Sequence, residues 1–462
     1  MSIFPKFPNA ITWEITNKCN LKCLHCYVRH NPEKGSDLNT DTIMRIIEQL
    51  DKGGTFSITL TGGEPTLRQD FEHIVKELRK RNFHLSLITN GTVTDKRKIE
   101  FIAHNFDFIK VSLDAPVPEI HDFIRGKKGA FNTTLNFIKE LNKYNSNYTV
   151  AYTINKINKD YIEEFISFAS SIKIKRISFG FVTPYNYSDE EVKELVLSPK
   201  EVNYIRKKLW ILRKKYKHII KIRINFCDIF DKISNIHQLE KILYKKIKKG
   251  IKYPCGAGIT TCAISAEGYI LPCIVLNTKD FRWGNVLNNS IESIWNGPKA
   301  REWRILFKKI PYECTKCKYL GLCKTVCRAS VLAFSKKIDD LHPYCPKSFL
   351  NWVLKFEYNG ILNAIYKLNE NIRWRKENEY TIIMVKTNGG YKYLYLNRTG
   401  TEIWQYILEM KPVKEIIEIL AEKYNKPHNV IQNDVIEFIK NLESRDIISL
   451  VSIVGEKNGL YS

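Results

Sequence analysis

The chain has 462 residues and a formal net charge of +24, and its length predicts two to four domains that each bury a core. It has no run of about 18 apolar residues and no cationic start followed by a long apolar run. A membrane span and an export signal are therefore not expected, and we predict a soluble, cytoplasmic protein. Twelve cysteines in such a chain are expected to bind metal and not to form disulfides, because a reducing cytosol keeps thiols free.

The first cysteines directly follow a strand-like run near the N-terminus. The stretch NKCNLKCLHCY, residues 17–27, spaces Cys19, Cys23 and Cys26 as C-x3-C-x2-C. Metal sites built from thiolates ordinarily have four ligands, as in zinc sites and iron–sulfur clusters. A cubane cluster held by three cysteines leaves one iron open to a non-protein ligand. The spacing therefore indicates a site that performs chemistry.

Six strand-like runs alternate with helical patterns over the first two hundred residues. This alternation predicts parallel strands joined by crossover helices, whose carboxyl ends bind ligands. The sequence TGGEP, residues 61–65, follows the second strand. Its two glycines let a ligand approach the backbone, and Glu64 offers a carboxylate to an ammonium group. Taken alone, a Gly-Gly after a strand also fits an ordinary turn.

Together, the cysteine triplet and Gly-Gly-Glu-Pro resemble the radical S-adenosylmethionine (SAM) enzymes. The resemblance implies an α/β fold, a partial (β/α)6 TIM-like barrel over residues 8–225, and a [4Fe–4S] cluster whose open iron is chelated by SAM. Reduction of that cluster would cleave SAM to a 5′-deoxyadenosyl radical that abstracts hydrogen from a substrate. The motifs VSLDAP, HDFIRG and LITNG complete the implied SAM contacts: Tyr27, Gly62, Gly63, Glu64, Asn90, Ser112 and Arg125. For Asn90, Ser112 and Arg125 the alternative is strand-end capping or a surface ion pair.

Positive charge is concentrated between Arg206 and Lys252, a segment that contains sixteen Lys/Arg and three Asp/Glu residues. Two helical patterns there, YIRKKLWILRKKYKHI and LEKILYKKIKKGI, indicate solvated amphipathic helices, and we predict a basic helical linker over residues 226–254. A second interpretation is attraction of an acidic partner such as a peptide. No RRM, KH or OB signature accompanies the segment, so nucleic-acid binding is not expected.

Eight further cysteines lie between Cys255 and Cys345 and could form two four-ligand sites, for zinc or for iron–sulfur clusters. Their order resembles the SPASM extension of radical SAM enzymes, which implies two auxiliary [4Fe–4S] clusters within residues 255–347. By that resemblance one cluster uses Cys255, Cys262, Cys273 and Cys327, and the other uses Cys314, Cys317, Cys323 and Cys345. Cys227 remains without an assignment and is expected to be a buried apolar thiol.

Departures from known subfamilies bear on the reaction. Sulfatase-maturating enzymes have an acidic base directly after the cysteine that corresponds to Cys273, where this chain has Ile274. The cyclase of the pyrroloquinoline quinone precursor has an aspartate in place of Cys323. In several thioether-forming maturases one iron of the first auxiliary cluster has no protein ligand. In this chain Cys262 would bind that iron. Carbon–carbon, carbon–oxygen, oxidative and thioether chemistry all stay open, and the catalytic base is not assigned.

The last hundred residues contain no cysteine. A helical bridge over residues 348–372 is followed by EYTIIMVKTNGGYKYLYLNRTG, which predicts a hairpin, and by three helical patterns. This order indicates a small α+β, winged-helix-like domain over residues 373–455. The third helix carries Asp434, Glu437 and Glu443 against Lys440 and Arg445, a poor surface for phosphates, so DNA binding is not expected.

Residues 379–450 resemble the PqqD-like domains that recognise precursors of ribosomally made, modified peptides. The resemblance implies that a leader peptide adds as a strand along residues 391–396, with main-chain hydrogen bonds giving affinity. The implied contacts are Tyr391, Tyr393, Tyr395 and Leu396. The alternative for these side chains and for Trp404 is ordinary core packing.

We therefore predict a radical SAM oxidoreductase that abstracts hydrogen from a ribosomal precursor peptide and forms a crosslink or an oxidised residue. Its predicted partners are the leader of that peptide and an electron donor such as a ferredoxin or flavodoxin. One alternative is a radical SAM enzyme that acts on a small molecule or a tetrapyrrole. Another is a nucleic-acid-binding regulator whose clusters sense redox state, although a sensor needs no SAM pocket.

Overall fold

The computed structural model describes residues 4–184, 190–224, 255–323, 325–387, 390–445 and 447–453. These residues form two compact units, one up to Phe349 and one from Leu350 onward. Cys227, the pattern LEKILYKKIKKGI and the predicted linker over 226–254 lie outside the described residues. Within the described chain, no helix has both the length and the apolar character needed to cross a bilayer.

Strands and helices alternate through the first unit. Its strands are β1 (Ala10–Thr16), β2 (Ser57–Gly62), β3 (His84–Thr89), β4 (Phe108–Ser112), β5 (Tyr148–Ile154), β6 (Arg176–Phe181), β7 (Lys221–Ile224), β8 (Thr261–Ile264), β9 (Tyr269–Leu271) and β10 (Gly284–Asn285). Its helices are α1 (Thr40–Lys52), α2 (Phe71–Lys80), α3 (Lys96–Asn105), α4 (Pro118–Arg125), α5 (Ala130–Lys143), α6 (Ile162–Ser171), α7 (Glu190–Leu195), α8 (Pro199–Lys215), α9 (Ile291–Trp295), α10 (Pro298–Leu306), α11 (Tyr312–Thr315), α12 (Leu320–Cys323) and α13 (Arg328–Ser335).

The strands of this unit form one sheet in the order β10-β9-β8-β1-β2-β3-β4-β5-β6-β7. Strands β1 to β7 are all parallel, which confirms the predicted partial barrel and adds a seventh strand to its six repeats. Alternate residues of β4 have different surroundings: Ile109 and Val111 are fully buried, whereas Lys110 and Ser112 line a cavity.

The cysteine-rich segment joins the barrel through β8. This strand pairs in parallel with β1, from Ala10 opposite Thr261 to Trp13 opposite Ile264. On its other side β1 pairs with β2, and the register shifts between Glu14 and Thr16, just before the cysteine loop. The two segments that carry cysteines are therefore parts of one sheet.

The second unit is a small α+β domain, as predicted. Its strands are β11 (Ala364–Leu368), β12 (Arg373–Glu377), β13 (Tyr380–Thr387), β14 (Gly390–Leu396) and β15 (Ile448–Ile453), and its helices are α15 (Arg398–Leu408), α16 (Val413–Tyr424) and α17 (His428–Ser444). Helix α14 (Lys347–Leu362) precedes them. Strands β12, β13 and β14 form an antiparallel sheet that contains the predicted hairpin.

The predicted helical bridge over residues 348–372 is wrong beyond Leu362. Residues Ala364–Leu368 form β11, which pairs in antiparallel fashion with β15 near the end of the chain. Ala364 and Tyr366 are buried while Ile365 and Lys367 are not, a period of two that suits a strand. The five-residue run is too short to reveal this period, and its partner lies some eighty residues away.

Candidate active site

A cavity of about 300 Å³ lies at the carboxyl ends of the parallel strands. Its wall includes the three cysteines of residues 17–27 and six of the seven predicted SAM contacts: Tyr27, Gly62, Gly63, Asn90, Ser112 and Arg125. Another part of its wall comes from the cysteine-rich segment: Ile274, Val275, Val326, Cys327, Ser330, His342 and Tyr344. The structure thus brings the implied SAM residues and part of the second cysteine array to one cavity.

The loop that carries the first three cysteines is held by polar contacts at its start and its end. Asn17 donates from its backbone N to Asp37 Oδ1 at 2.8 Å and from Nδ2 to Glu267 Oε1 at 2.7 Å. Glu267 Oε1 also accepts the backbone N–H of Gly35 at 2.8 Å. Glu267 follows β8, so the cysteine-rich segment fixes both ends of the loop.

The middle of the same loop is bound to the end of α4. The backbone N of Lys22 donates to the carbonyl oxygen of Arg125 at 3.1 Å, and that of Leu24 donates to Ile124 at 2.9 Å. Gly126 ends α4 in the left-handed conformation, with φ of +65°. A Cβ there would lie 2.5 Å from the carbonyl oxygen of Lys22, so only glycine allows this approach.

Positively charged and polar side chains lie near the cysteine sulfurs. Arg125 Nη1 lies 3.7 Å from Cys23 Sγ, and Asn90 Nδ2 lies 3.9 Å from Cys19 Sγ. Burial, and next the neighbouring charge of Cys23, raise the pKa of Cys26 to about 11. Thiols with such raised pKa values become thiolates when iron binds them, and the nearby donors stabilise that charge. Three sulfurs and one open position fit the cluster that the sequence predicts.

Gly62 and Gly63 allow direct backbone packing between the loop after β2 and the cysteine loop. Gly62 has φ of +129°, and a Cβ on Gly63 would lie 2.1 Å from the carbonyl oxygen of Lys18. The backbone N of Gly63 donates to Thr16 O at 2.7 Å, and that of Glu64 donates to Lys18 O at 2.8 Å. Both glycines are therefore needed for the shape of the site, whatever ligand it binds.

The Glu64 carboxylate lies inside the protein and not on the cavity wall. Glu64 is only 1% exposed, and its Oε1 accepts the hydroxyls of Thr66 at 2.7 Å and Thr89 at 2.9 Å. Its Oε2 accepts the backbone N–H of Asn90 at 2.7 Å. These bonds hold the ends of β2 and β3 together. Contact between this carboxylate and an ammonium group of SAM stays a prediction.

Arg125 forms a buried ion pair, so the alternative of a surface ion pair is wrong. Its Nη2 lies 2.7 Å from Asp114 Oδ2, and Asp114 Oδ1 accepts the backbone N–H of Thr153 at 2.7 Å. Burial acts to lower the pKa of Arg125, but the charges of Asp114 and Cys23 together raise it above its ordinary value. The guanidinium is thus fixed at the cavity with its charge permanently present.

A second acidic group, Glu14, lies under the cysteine loop and is bonded to Tyr27. Burial raises the pKa of Glu14 to about 8, and the hydrogen bond with the Tyr27 hydroxyl offsets only part of that rise. The pKa of Tyr27 is raised first by burial and then by Glu14, Cys26 and Cys273. Tyr27 therefore lies near sulfurs of both cysteine arrays, and Glu14 carries a proton at neutral pH.

We expect Glu14→Gln to stabilise the protein increasingly as pH rises from 6 to 8. The folded carboxyl keeps its proton up to about pH 8, whereas the unfolded one loses it above its ordinary pKa of 4.5. Folding therefore takes up a proton in this window, and wild-type stability falls by about 1 kcal/mol per pH unit. The Glu14→Gln variant takes up no such proton on folding, so its stability relative to wild type increases with pH.

The measurement is the free energy of unfolding of wild type and Glu14→Gln in urea at pH 6, 7 and 8. Glu48→Gln is the matched control, because Glu48 is exposed and its pKa is lowered, first by its hydrogen bond with Lys52. A gain for Glu14→Gln that does not grow with pH would contradict the protonated state of Glu14.

The structure brings together the four cysteines predicted for one auxiliary cluster. Burial raises the pKa of Cys314 to about 12, and the charges of Cys323, Cys345 and Cys317 add to the rise in that order. In the other predicted set, burial and then the charge of Cys327 raise the pKa of Cys273 to about 11. The interactions of Cys314 with three cysteines of its set, and of Cys273 with Cys327, fit the predicted sets. The roles of these cysteines as cluster ligands stay a prediction.

Cys255 and Cys262, which belong to the other predicted set, have different surroundings from each other. Cys255, with Cys273 and Cys327, packs against an apolar cluster that includes Trp303 and Phe307. Cys262 is buried on β8, where burial raises its pKa and the charge of Arg304 acts to lower it. The role of these four cysteines as ligands of one cluster stays a prediction.

Among the described residues, no three His, Cys, Asp or Glu side chains are placed to chelate one metal ion. A four-iron cluster differs from such a site because each of its cysteines binds a different iron.

Several residues on the cavity wall, or paired with a residue of that wall, were not identified from the sequence: Lys110, Asp114, Arg206, His342 and Tyr344. Two of them had a detectable signal. Asp114 comes two residues after Ser112 within VSLDAP, and Lys110 lies two residues before Ser112 on the same face of β4. The other three come from distant segments that only tertiary structure brings to the cavity.

In the second unit the predicted peptide contacts divide into two kinds. Tyr391, Tyr393 and Tyr395 alternate along one face of β14 and are 58%, 59% and 69% exposed, so core packing is wrong for them. Leu396 and Trp404, at 5% and 1% exposure, belong to the core. In the described structure β14 is an edge strand of its sheet, as leader addition requires.

Comparison with protein families gives three matches along the chain. Residues 13–169 match the radical SAM superfamily, residues 255–318 match the SPASM iron–sulfur cluster-binding domain, and residues 382–448 match coenzyme PQQ synthesis protein D (PqqD). All three resemblances seen in the sequence are thereby confirmed.

Two curated relatives are similar over most of the chain. The antilisterial bacteriocin subtilosin biosynthesis protein AlbA of Bacillus subtilis is 27% identical over 329 residues, 69% of this chain and 67% of AlbA. The AdoMet-dependent heme synthase of Methanosarcina barkeri is 25% identical over 344 residues, 73% of this chain and 96% of the synthase.

Two solved structures show the same fold. One is described as native anSMEcpe with bound AdoMet; it has a TM-score of 0.63 and 22% identity, and the alignment covers 76% of this chain and 98% of that one. The other is Streptococcus suis SuiB bound to precursor peptide SuiA, with a TM-score of 0.58, 18% identity and coverage of 73% and 76%.

Proposed function

We infer that this chain, a radical SAM enzyme with a SPASM region and a PqqD-like domain, modifies a ribosomally made precursor peptide. The observation that carries the proposal is the single cavity shared by the cysteine loop, the implied SAM residues and the second cysteine array. The PqqD match and the relation to AlbA favour a peptide as substrate.

In this proposal Cys19, Cys23 and Cys26 hold a [4Fe–4S] cluster that supplies the electron for reductive cleavage of SAM. Ser112 and Arg125 bind the SAM carboxylate, and Asp114 holds the Arg125 guanidinium in place. The backbone around Gly62 and Gly63 accepts the methionine part.

The remaining cysteines complete the proposed assignment. Cys255, Cys262, Cys273 and Cys327 would hold one auxiliary [4Fe–4S] cluster and Cys314, Cys317, Cys323 and Cys345 the other, and these clusters would supply an acceptor for the electron that the substrate loses. A ferredoxin or flavodoxin would supply the electron for SAM cleavage. Such reduced clusters suit a reducing compartment, so we place the enzyme in the cytoplasm. This chain has Ile274 on the cavity wall, so a base at that position is not part of the proposal.

The relation to a heme synthase keeps a tetrapyrrole substrate as the second candidate. The PqqD match argues for the peptide, because domains of this kind recognise peptides. The PqqD-like domain also has no evident use with a small substrate.

The testing experiment begins with anaerobic reconstitution of the full chain with iron and sulfide. The reduced enzyme is given SAM and, in turn, synthetic peptides encoded by the short reading frames beside its gene. We expect 5′-deoxyadenosine and a peptide that has lost a pair of hydrogens. Release of 5′-deoxyadenosine with a tetrapyrrole converted, and every peptide unchanged, would overturn the proposal.

We also expect the triple variant Tyr391→Ser, Tyr393→Ser, Tyr395→Ser to weaken leader binding at least tenfold. These exposed side chains lie on the edge strand β14, so their loss removes contacts without opening the core. The measurement is the Kd of the full chain for the fluorescently labelled leader part of the converted peptide. Tyr312→Ser, at an exposed tyrosine of the first unit, is the control. An unchanged Kd would show that the leader does not bind along β14.

A further inference from the structure

Exposed cations lie on the loop that carries the first three cysteines and on the turn after α4. Within residues 17–37 and 122–130, all of which the structure describes, the exposed charged side chains are all basic: Lys18, Lys22, Arg29, Lys34, Lys127 and Lys128. We call these six residues the basic patch. It belongs entirely to the first unit.

The acidic groups in the same two ranges do not cancel this charge. Glu33 lies 3.3 Å from Nη1 of Arg282, which is outside the patch and balances it. Asp37 and Asp122 are partly buried, and both accept backbone N–H groups at 2.6 to 2.8 Å. Six exposed cations against two such carboxylates leave an excess of positive charge.

The cysteines and the arginine beneath the loop also enter the charge balance. Cys19, Cys23 and Cys26 add negative charge when they bind iron as thiolates, but the iron of the cluster balances most of it. The charge of Arg125 is balanced by Asp114, which lies 2.7 Å away. The surface over the cysteine loop therefore stays positive when the cluster is bound.

Backbone and side-chain contacts join the basic patch into one surface. Arg29 Nη1 donates to the carbonyl oxygen of Lys22 at 3.0 Å, and Lys34 Nζ lies 3.5 Å from the carbonyl oxygen of Arg29. The backbone N of Lys22 donates to the carbonyl oxygen of Arg125 at 3.1 Å, two residues before Lys127. The cysteine loop and the turn after α4 are thus neighbours at the surface.

An exposed aromatic side chain accompanies these cations. Phe123 of α4 is 62% exposed, and its carbonyl oxygen accepts the backbone N–H of Gly126 at 3.2 Å, in the turn that leads to Lys127. Aromatic and basic side chains are typical of protein interfaces, where an aromatic ring supplies contact area. The combination therefore fits a docking surface for a protein with negative charge.

The basic patch lies directly over the sulfurs of the first cysteine array. Arg29 donates its backbone N–H to Cys26 Sγ at 3.4 Å, and Cys19, next to Lys18, is itself exposed. The rate of electron transfer between proteins falls steeply with distance. A carrier bound on this surface would have only a short path to the cysteines that are proposed to hold the SAM-binding cluster.

We propose that the basic patch, with Phe123, docks an acidic one-electron carrier protein that reduces the cluster held by Cys19, Cys23 and Cys26. The carrier is oxidised by one electron and the cluster is reduced by one electron, with no bond made or broken and no proton transferred. This inference rests on the proposed function and deepens it by naming where the electron donor binds. Charge steers such transient encounters, whose interfaces are small.

The test uses the anaerobically reconstituted full chain and an acidic flavodoxin as the probe. The variant is Lys34→Glu, Lys127→Glu, Lys128→Glu, which leaves residues 17–27 unchanged. We expect the Kd for flavodoxin at low ionic strength to rise at least about tenfold, and cluster reduction by flavodoxin hydroquinone to slow by about the same factor. With excess dithionite in place of flavodoxin, 5′-deoxyadenosine release should stay within about twofold of wild type, because the cluster and the SAM site are intact.

The matched control is Lys175→Glu, Lys217→Glu, Lys221→Glu, which changes the net charge by the same amount. These exposed lysines lie near the amino ends of β6 and β7, the end of the parallel strands opposite the cysteine loop. Their replacement should leave the Kd for flavodoxin within about twofold of wild type, since salt screens distant charges. Should the first variant lose iron, Lys34→Ala, Lys127→Ala, Lys128→Ala replaces it and should weaken binding at least about threefold.

Three results would overturn the inference. They are an unchanged Kd for flavodoxin in the patch variant, an equal loss of affinity in the control variant, and a loss of affinity for the converted peptide while flavodoxin binds as before. The last result would assign the surface to an acidic peptide. Failure of the proposed function is distinguishable, because wild type reduced by excess dithionite would then convert no peptide, whatever its affinity for flavodoxin.

Discussion

Replacing Cys19, Cys23 and Cys26 together by alanine is expected to abolish SAM cleavage while about eight of about twelve irons remain bound per chain. The three sulfurs lie at the cavity, and without them no iron there can bind SAM. The eight cysteines predicted to hold the auxiliary clusters are in a separate segment. The charges of three of them, Cys323, Cys345 and Cys317, act on Cys314, so a cluster held by these four should assemble independently.

The measurement is the release of 5′-deoxyadenosine from SAM under a strong reductant, together with iron per chain after anaerobic reconstitution. We expect release to fall at least about 10³-fold, because the variant has no open iron to which the cosubstrate can bind. Replacement of Cys314, Cys317, Cys323 and Cys345 is the matched comparison and should remove about four irons. Loss of all iron from the first variant would contradict independent sites.

Gly63→Ala is expected to abolish SAM binding and to lower SAM cleavage at least about 100-fold. The added Cβ would lie 2.1 Å from the carbonyl oxygen of Lys18, and the bond from Glu64 N to that oxygen is 2.8 Å long. The backbone cannot move aside without breaking this bond and shifting the loop that begins at Cys19. The position of the cluster relative to SAM would then be lost.

This prediction is checked by the Kd for SAM and the rate of 5′-deoxyadenosine release. Gly360→Ala is the control, because its Cβ would meet no atom within 4 Å and alanine favours a helix. Iron content of Gly63→Ala should stay near that of wild type. Wild-type SAM affinity in Gly63→Ala would show that SAM does not bind over this loop.

The sequence allowed the fold, and the grouping of Cys19, Cys23 and Cys26 at one cavity, to be predicted because both follow from spacing. Strands of period two alternate with helices of period 3.6, and Cys19, Cys23 and Cys26 are close in the chain. The ion pair between Asp114 and Arg125 was not predicted, since burial of a pair depends on how β4 and α4 meet. The orientation of Glu64 was missed for the same reason, as its partner Thr89 lies on another strand.

Pairings between distant segments were the main failure of sequence reasoning. Nothing local in Ala364–Leu368 indicates that its partner is Ile448–Ile453, and β8 gave no sign that it joins β1. Arg206 was likewise out of reach, because no short motif shows that a helix arginine lines this cavity. Such features arise from packing, which a periodic pattern does not specify.

The pairing of β8 with β1 also affects how the chain is made on the ribosome. Ala10 and its partner Thr261 are roughly 250 residues apart, so at 5–20 residues per second β1 waits about 10–50 s for this neighbour. During that time one edge of the nascent sheet is open to pairing with other chains. We therefore expect slower synthesis or a higher temperature to favour aggregation of newly made protein before the sheet is complete.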